Sequence, residues 1–224
     1  MKPLLIAIDG PSGAGKGTVA RAVAARLRYR HIDTGAMYRA VAWKAIQDGV
    51  PLDDEAAVAA VAARARLEVG DGVVRIDGLD CAAAIRTPQI DAAAAAVARQ
   101  PRVREILIAL QREMGEGGGV VMEGRDIGTV VFPAADVKLF LDAAPDERAR
   151  RRASDPAHAA GQTGGLTDIA VALEARDRSD RTRAASPLAQ ADDAIAIDTT
   201  GLPIERVVAQ VLEVVERYRL QTAD

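Results

Sequence analysis

Nine residues carry the strongest chemical signal: Gly10, Pro11, Ser12, Gly13, Ala14, Gly15, Lys16, Gly17 and Thr18, set directly after the apolar run 4–9. They match G-x-x-x-x-G-K-[ST] except at the last position, where Gly17 replaces the hydroxyl and Thr18 supplies one a residue later. Glycines let consecutive backbone N–H groups turn toward a polyphosphate. A helix opening at Lys16 adds the positive end of its dipole, and Lys16 adds a full charge. Four glycines and a lysine in register between a strand and a helix read as a nucleoside triphosphate site rather than as a plain turn.

Further along, "IDTGAMYR" puts Asp33 at a strand end and Arg39 in the next helix. Asp33 and Thr34 either cap that helix or face a ligand, and the two roles are compatible. In "EGRDIGTVVFP", Glu123, Arg125 and Asp126 leave the carboxyl end of an apolar strand, where an acidic residue of a phosphate-loop protein can organise Mg²⁺ or its waters. A structural Arg125–Asp126 ion pair is the alternative. Two arginine clusters remain. One holds Arg148, Arg150, Arg151 and Arg152; the other holds Arg176, Arg178, Arg181 and Arg183, with Asp177 and Asp180. On a helix, positions 176, 180 and 183 share a face. Each cluster could be a solvated, salt-bridged surface. Their position on either side of a Gly-containing segment, 154–165, favours a lid over phosphates.

One triphosphate site with several arginines away from it suits phosphoryl transfer, which needs positioning and charge neutralisation more than covalent chemistry. General-base equipment is sparse near the motifs, so the fitting acceptor is already an anion, such as a nucleotide phosphate.

The elements that must position these groups follow from the pattern. Residues 3–9 read as a buried parallel strand, 16–28 as a helix, 29–33 as a second strand and 36–47 as a helix. A helix at 53–66 precedes a hairpin signal, "LEVGDGVVRIDG", and helices follow at 88–97 and 101–114, the second with Pro at its first position. Strands resume at "GGGVVMEG", "DVKLFLDA" and "DAIAIDTT", with helices at 145–153, 166–180 and 203–220. Alternating strands and helices predict an α/β fold, a doubly wound parallel sheet with ligands at the carboxyl ends of its strands. The expected organisation is a core of 1–52 and 115–224 with a lid at about 150–166, and an inserted lobe of 53–114.

Composition narrows the classes. The net charge of −3 gives no pull toward nucleic acid or anionic membrane. Only four of the 29 basic residues are Lys, so cationic chemistry falls to Arg, whose planar fork matches phosphate. Aromatics are 3% of the chain, so Ala, Val, Ile and Leu must fill the core. A single Cys81 and two distant histidines argue against a disulfide framework and a Cys- or His-built metal site. No apolar stretch is long enough to span a bilayer, and no export leader is apparent. A soluble, cytoplasmic protein is expected.

Taken in order, "DGPSGAGKGT", "DTGAMYR", "PRVRE", "GRDIGTVVFP" and "RDRSDRTRA" resemble bacterial cytidylate kinases, nucleoside monophosphate kinases that move the γ-phosphoryl group of ATP to CMP or dCMP. The resemblance covers nearly the whole chain. It implies a phosphate-loop NTPase core, a monophosphate-binding lobe enlarged by an insert, and a short lid. It implies ATP as donor with Mg²⁺, small-molecule partners, a monomer, and a place in pyrimidine metabolism. Residues 10–18 would hold the ATP phosphates, with Lys16 catalytic. Thr34 and Arg39 resemble binders of the CMP phosphate, with Asp33 and Tyr38 lining the cleft. Arg104, Arg125 and Asp126 resemble the set that reads cytosine and its phosphate. Arg176 and Asp180 resemble the ribose-holding pair, and Arg183 lies close to the nucleotide. Arg148 and Arg152 are the expected lid arginines on the transferring group.

Mg²⁺ would rest on nucleotide oxygens and on waters steadied by Asp33 or Glu123, since Gly17 has no side chain. One position departs from the pattern: Ala95 stands where members of this family commonly carry a Ser that helps recognise cytosine. Preference for CMP over UMP is therefore open. Two competing readings are another phosphate-loop kinase, acting on UMP, AMP or dephospho-coenzyme A, and a nucleotide-binding switch. The switch lacks an N-K-x-D base-reading motif.

Overall fold

The computed structural model describes residues 2–155 and 165–222. Five short aliphatic strands form one all-parallel sheet: β1 (Leu5–Asp9), β2 (Arg30–Asp33), β6 (Val120–Glu123), β7 (Val137–Asp142) and β8 (Ile195–Asp198). Their order is β2-β6-β1-β7-β8. Because β1 is covered on both faces, every residue of it is apolar except its last, Asp9. Register sets Ile8 and Asp33 beside Glu123, so Asp9, Asp33 and Glu123 reach the same carboxyl edge. The chain crosses from β1 to β2 toward one edge and from β6 to β7 toward the other, and the crevice between β6 and β1 is the natural ligand site of such a sheet.

Helices α1 (Lys16–Leu27) and α8 (Ile204–Gln221) cover one face. Val19, Val23, Val207, Val211 and Val215 pack there on Ile6, Ile8, Val121, Leu139 and Leu141. The alternate residues Ala7, Ile32 and Met122 face the other side, against Ile127 and Val131. These two sit in a short π-helical turn, Ile127–Val131, that the sequence pattern does not announce.

Helix α2 (Thr34–Gln47) leads into α3 (Glu55–Arg64), a small antiparallel sheet of β3 (Leu67–Gly70), β4 (Val73–Ile76) and β5 (Leu79–Asp80), then α4 (Pro88–Val97) and α5 (Pro101–Gly115). Both cores of this region include α2. Met37, Tyr38 and Val41 join Val58, Val97 and Leu107, while Ala36 and Ala40 join Ile76, Ile85 and Ile90. The hairpin follows the Gly-Asp-Gly signal, with Asp71 and Gly72 at positive φ. It docks on β2, where the Asp71 carboxylate accepts from the His31 amide at 3.2 Å. Between β7 and β8 the described helices are α6 (Pro145–Ala153) and α7 (Leu166–Thr182). Of the expected lid, residues 156–164 lie outside the described residues.

Candidate active site

The loop after β1 is held from beneath. Arg148 donates to the Ser12 carbonyl and to the Ala143 carbonyl, each at 3.1 Å, and pairs with Asp177. Asp177 in turn accepts from the Ser12 amide at 3.1 Å. Gly13 has φ +80°, and a β-carbon there would lie 2.9 Å from Arg148 Cβ, so this close approach requires glycine. Lys16 is buried and its Nζ donates to the Pro11 carbonyl at 2.7 Å. Burial, reinforced by the Arg125 charge, pushes its pKa down to about 7.

Opposite Gly17 stands Glu123. A β-carbon on residue 17 would be 3.0 Å from Glu123 Oε1, and that same oxygen faces His31 Nε2 at 3.0 Å. The Glu123 carbonyl accepts from Thr34 Oγ1 at 2.7 Å. Asp33 caps α2 through the Ala36 amide and pairs with Arg39 at 2.8 Å. Burial works against its charge, but Arg39 and the amide hold its pKa below the ordinary value.

On the far side of the cleft, Asp126 accepts from Arg104 and, at 3.4 Å, from Arg183. Arg104 lies over the Tyr38 ring, 5.4 Å from its centre. Arg125 bridges the two sides, donating to Ser12 Oγ at 2.7 Å and to Asp180 at 3.1 Å. Burial opposes the Asp180 charge too, yet Arg125 and Arg176 hold its pKa low. Arg152 and Arg176 share the Asp91 carboxylate, joining α6 (Pro145–Ala153) and α7 (Leu166–Thr182) to α4.

These groups surround one cavity of about 830 Å³, with residues 12–18 at one end and Arg39, Arg104, Asp126 and Arg183 at the other. Most of the expected site residues line it together. Three do not. Gly10 and Pro11 form the root of the loop, and Arg148 is buried under it against Asp177 rather than lining the cavity. Arg86 and Thr199 line the cleft without having been singled out, and Arg151, named only as a member of its arginine cluster, lines it too. Arg151 donates to Thr199 Oγ1 at 2.9 Å, and Thr199 Oγ1 donates on to the Ala14 carbonyl at 3.1 Å. Its position just past the carboxyl end of β8 was the available signal for Thr199.

The cleft thus offers two cationic ends joined by Arg125 and flanked by arginines. The one histidine among the described residues, His31, is not part of the lining and is engaged with Glu123 from behind it. Such an arrangement can hold two phosphorylated ligands end to end.

A family model described as cytidylate kinase matches residues 6–217. The chain belongs to the cytidylate kinase family. It is 48% identical over 221 residues to the cytidylate kinase of Solibacter usitatus, covering 96% of this chain and 93% of that one. It is 50% identical over 212 residues to the cytidylate kinase of Pelotomaculum thermopropionicum, covering 92% and 93%. Membership makes the protein a kinase, a phosphotransferase. Among solved structures, a gluconokinase from Sinorhizobium meliloti aligns with a TM-score of 0.51 at 15% identity, covering 99% of this chain and 98% of that one. A shikimate kinase from Bacteroides thetaiotaomicron gives 0.51 at 15%, covering 95% and 98%. These two share its fold.

Proposed function

We propose that this cytidylate kinase family member transfers the γ-phosphoryl group of ATP to CMP and dCMP, giving CDP and dCDP. The observation that carries this reading is Asp126, held between Arg104 and Arg183 at the end of the cleft remote from the phosphate loop. A carboxylate fixed between two guanidinium groups can accept from an exocyclic amino group while the arginines donate to ring acceptors. Relatives named cytidylate kinase support the same acceptor, and UMP, AMP and dephospho-coenzyme A are not favoured.

In this reading the amides of residues 12–18 and Lys16 hold the ATP phosphates. Thr34, Arg39 and Arg125 hold the acceptor phosphate, Tyr38 and Asp33 line its cleft, and Arg176 and Asp180 meet the ribose. Arg151 and Arg152, on α6, reach the transferring group. The acceptor oxygen is already anionic, so no strong base is needed, and the arginines offset the charge on the moving phosphoryl group.

The residues fit Mg²⁺ held through water. Gly17 leaves room at the loop, and Glu123 presents a carboxylate across it with Asp33 on the same edge. Among the described residues no group of three His, Cys, Asp or Glu side chains could hold a metal by itself, so nucleotide oxygens would be the main ligands. Mg²⁺ so placed would neutralise phosphate charge.

The acceptor lobe of this reading is 53–114, packed on α2 of a core of 1–52 and 115–224, with the lid at about 150–166. The same reading takes the protein as a cytoplasmic monomer serving pyrimidine nucleotide metabolism; the charge of −3 supports only the part of it that excludes nucleic-acid and anionic-membrane partners. Among the described residues no helix is long and apolar enough to cross a membrane. Formation of CDP from CMP and ATP–Mg²⁺ tests the reading; absence of CDP while another monophosphate is consumed would replace the acceptor.

A further inference from the structure

We propose that Asp9 is a positioning residue for the acceptor base: it caps the Ile127–Val131 turn in place of Asp126 and so leaves the Asp126 carboxylate facing the cleft. The first amides of any helical turn lack partners within it, and a residue at the N-cap, above all Asp, normally supplies one. Asp126 occupies that position here, yet its side chain makes no cap bond. Its oxygens go to Arg104 and Arg183 instead. Where other described helices open on Asp or Thr, the rule holds. Asp33, Asp54 and Thr87 each cap the helix that they open.

The amides that Asp126 leaves are taken by a residue 118 positions away. Asp9 Oδ1 accepts from the Ile127 amide at 2.9 Å and Oδ2 from the Gly128 amide at 2.7 Å. The carboxylate is 4% exposed, so water offers it no comparable partner. A β-carbon on Gly128 would lie 3.4 Å from Asp9 Oδ2 and 3.2 Å from Lys138 Cδ, so glycine leaves the approach open. Asp9 also ends β1 and precedes the phosphate loop, so one side chain ties the root of the donor loop to the turn that carries Asp126. Without it, Asp126 has an unmet amide within its own reach and a reason to turn from the cleft. The inference rests on the reading of Asp126 as a contact of the acceptor base.

Asp9→Asn keeps the volume but leaves only one oxygen for two amides. KM for CMP should rise about tenfold or more, with ATP affinity within about twofold of wild type. Exchange of the Ile127 and Gly128 amides should accelerate. Because Asp9 acts through Asp126, Asp9→Asn should add less than about twofold in an Asp126→Ala background. Unchanged KM for CMP, equal losses toward CMP and ATP, or additive losses with Asp126→Ala would overturn the proposal. If Asp9→Asn fails to fold, Asp9→Glu carries the same test, because its longer side chain keeps the charge but carries both oxygens away from their places at the Ile127 and Gly128 amides. A wild type that ignores CMP removes the proposed acceptor; unchanged amide protection in Asp9→Asn is what would then overturn the capping role.

Discussion

Glu123 stands so close to Gly17 that a β-carbon on residue 17 would lie 3.0 Å from Glu123 Oε1. The oxygen cannot retreat freely, since His31 Nε2 holds it at 3.0 Å. Any larger residue at 17 would have to push this carboxylate aside, so Gly17 suits it, and the missing hydroxyl of the phosphate-loop pattern is no defect. Gly17→Ser, which restores the common motif, should lower kcat by about tenfold or more through displacement of Glu123. Steady-state kinetics at saturating ATP–Mg²⁺ check this, and a Gly17→Ser enzyme as active as wild type would contradict it.

Lys16 gives the pH prediction. Burial and the Arg125 charge push its pKa down to about 7, so the free protein favours the neutral amine above that pH. A bound polyphosphate favours the ammonium and raises the pKa again, so binding must draw in a proton. At pH 8, uptake should approach one proton per ATP–Mg²⁺ and should fall as the pH drops below about 7. Calorimetric titrations in two buffers of different ionisation enthalpy measure it. Zero uptake at pH 8 would mean that Lys16 is already charged in the free protein.

The two arginines expected in the lid should separate by phenotype. Arg148→Ala leaves Asp177, 1% exposed, without its charge partner and should destabilise the fold by about 3–5 kcal/mol. Arg152→Ala should leave thermal stability within a few degrees of wild type while reducing kcat by on the order of 10³, as loss of an arginine from a transferring phosphoryl group does. Denaturant melts beside single-turnover rates distinguish the two.

Ala95 lines the cleft beside Ala94 and Ala98, so methyl groups stand where a hydroxyl could meet the base. Ala95→Ser should raise the preference for CMP over UMP, measured as a ratio of kcat/KM values, by about tenfold. An unchanged ratio would place residue 95 away from the base.

Much of this was legible because local signals agreed with the fold. The aliphatic strand before the loop, proline at the first position of α4 and α5, and the Gly-Asp-Gly hairpin all fall where the pattern puts them. The π-helical turn was not legible. "IGTVV" is rich in β-branched residues, and what holds its first amides is Asp9, distant in sequence. Helix α2 is apolar on two sides, so its pattern could not say that it joins the small lobe. The arginine cluster of α6 showed that phosphate-matching groups were present. Which of them faces the cleft depends on Asp177, a partner 29 residues from Arg148 on another helix.

The most direct measurement is a set of kcat/KM values for CMP, dCMP, UMP and AMP with ATP–Mg²⁺. CMP and dCMP should exceed UMP, and UMP should exceed AMP, because Asp126 and its two arginines suit a pyrimidine with an amino group. AMP or UMP used faster than CMP would contradict the assignment of that triad to the cytosine base.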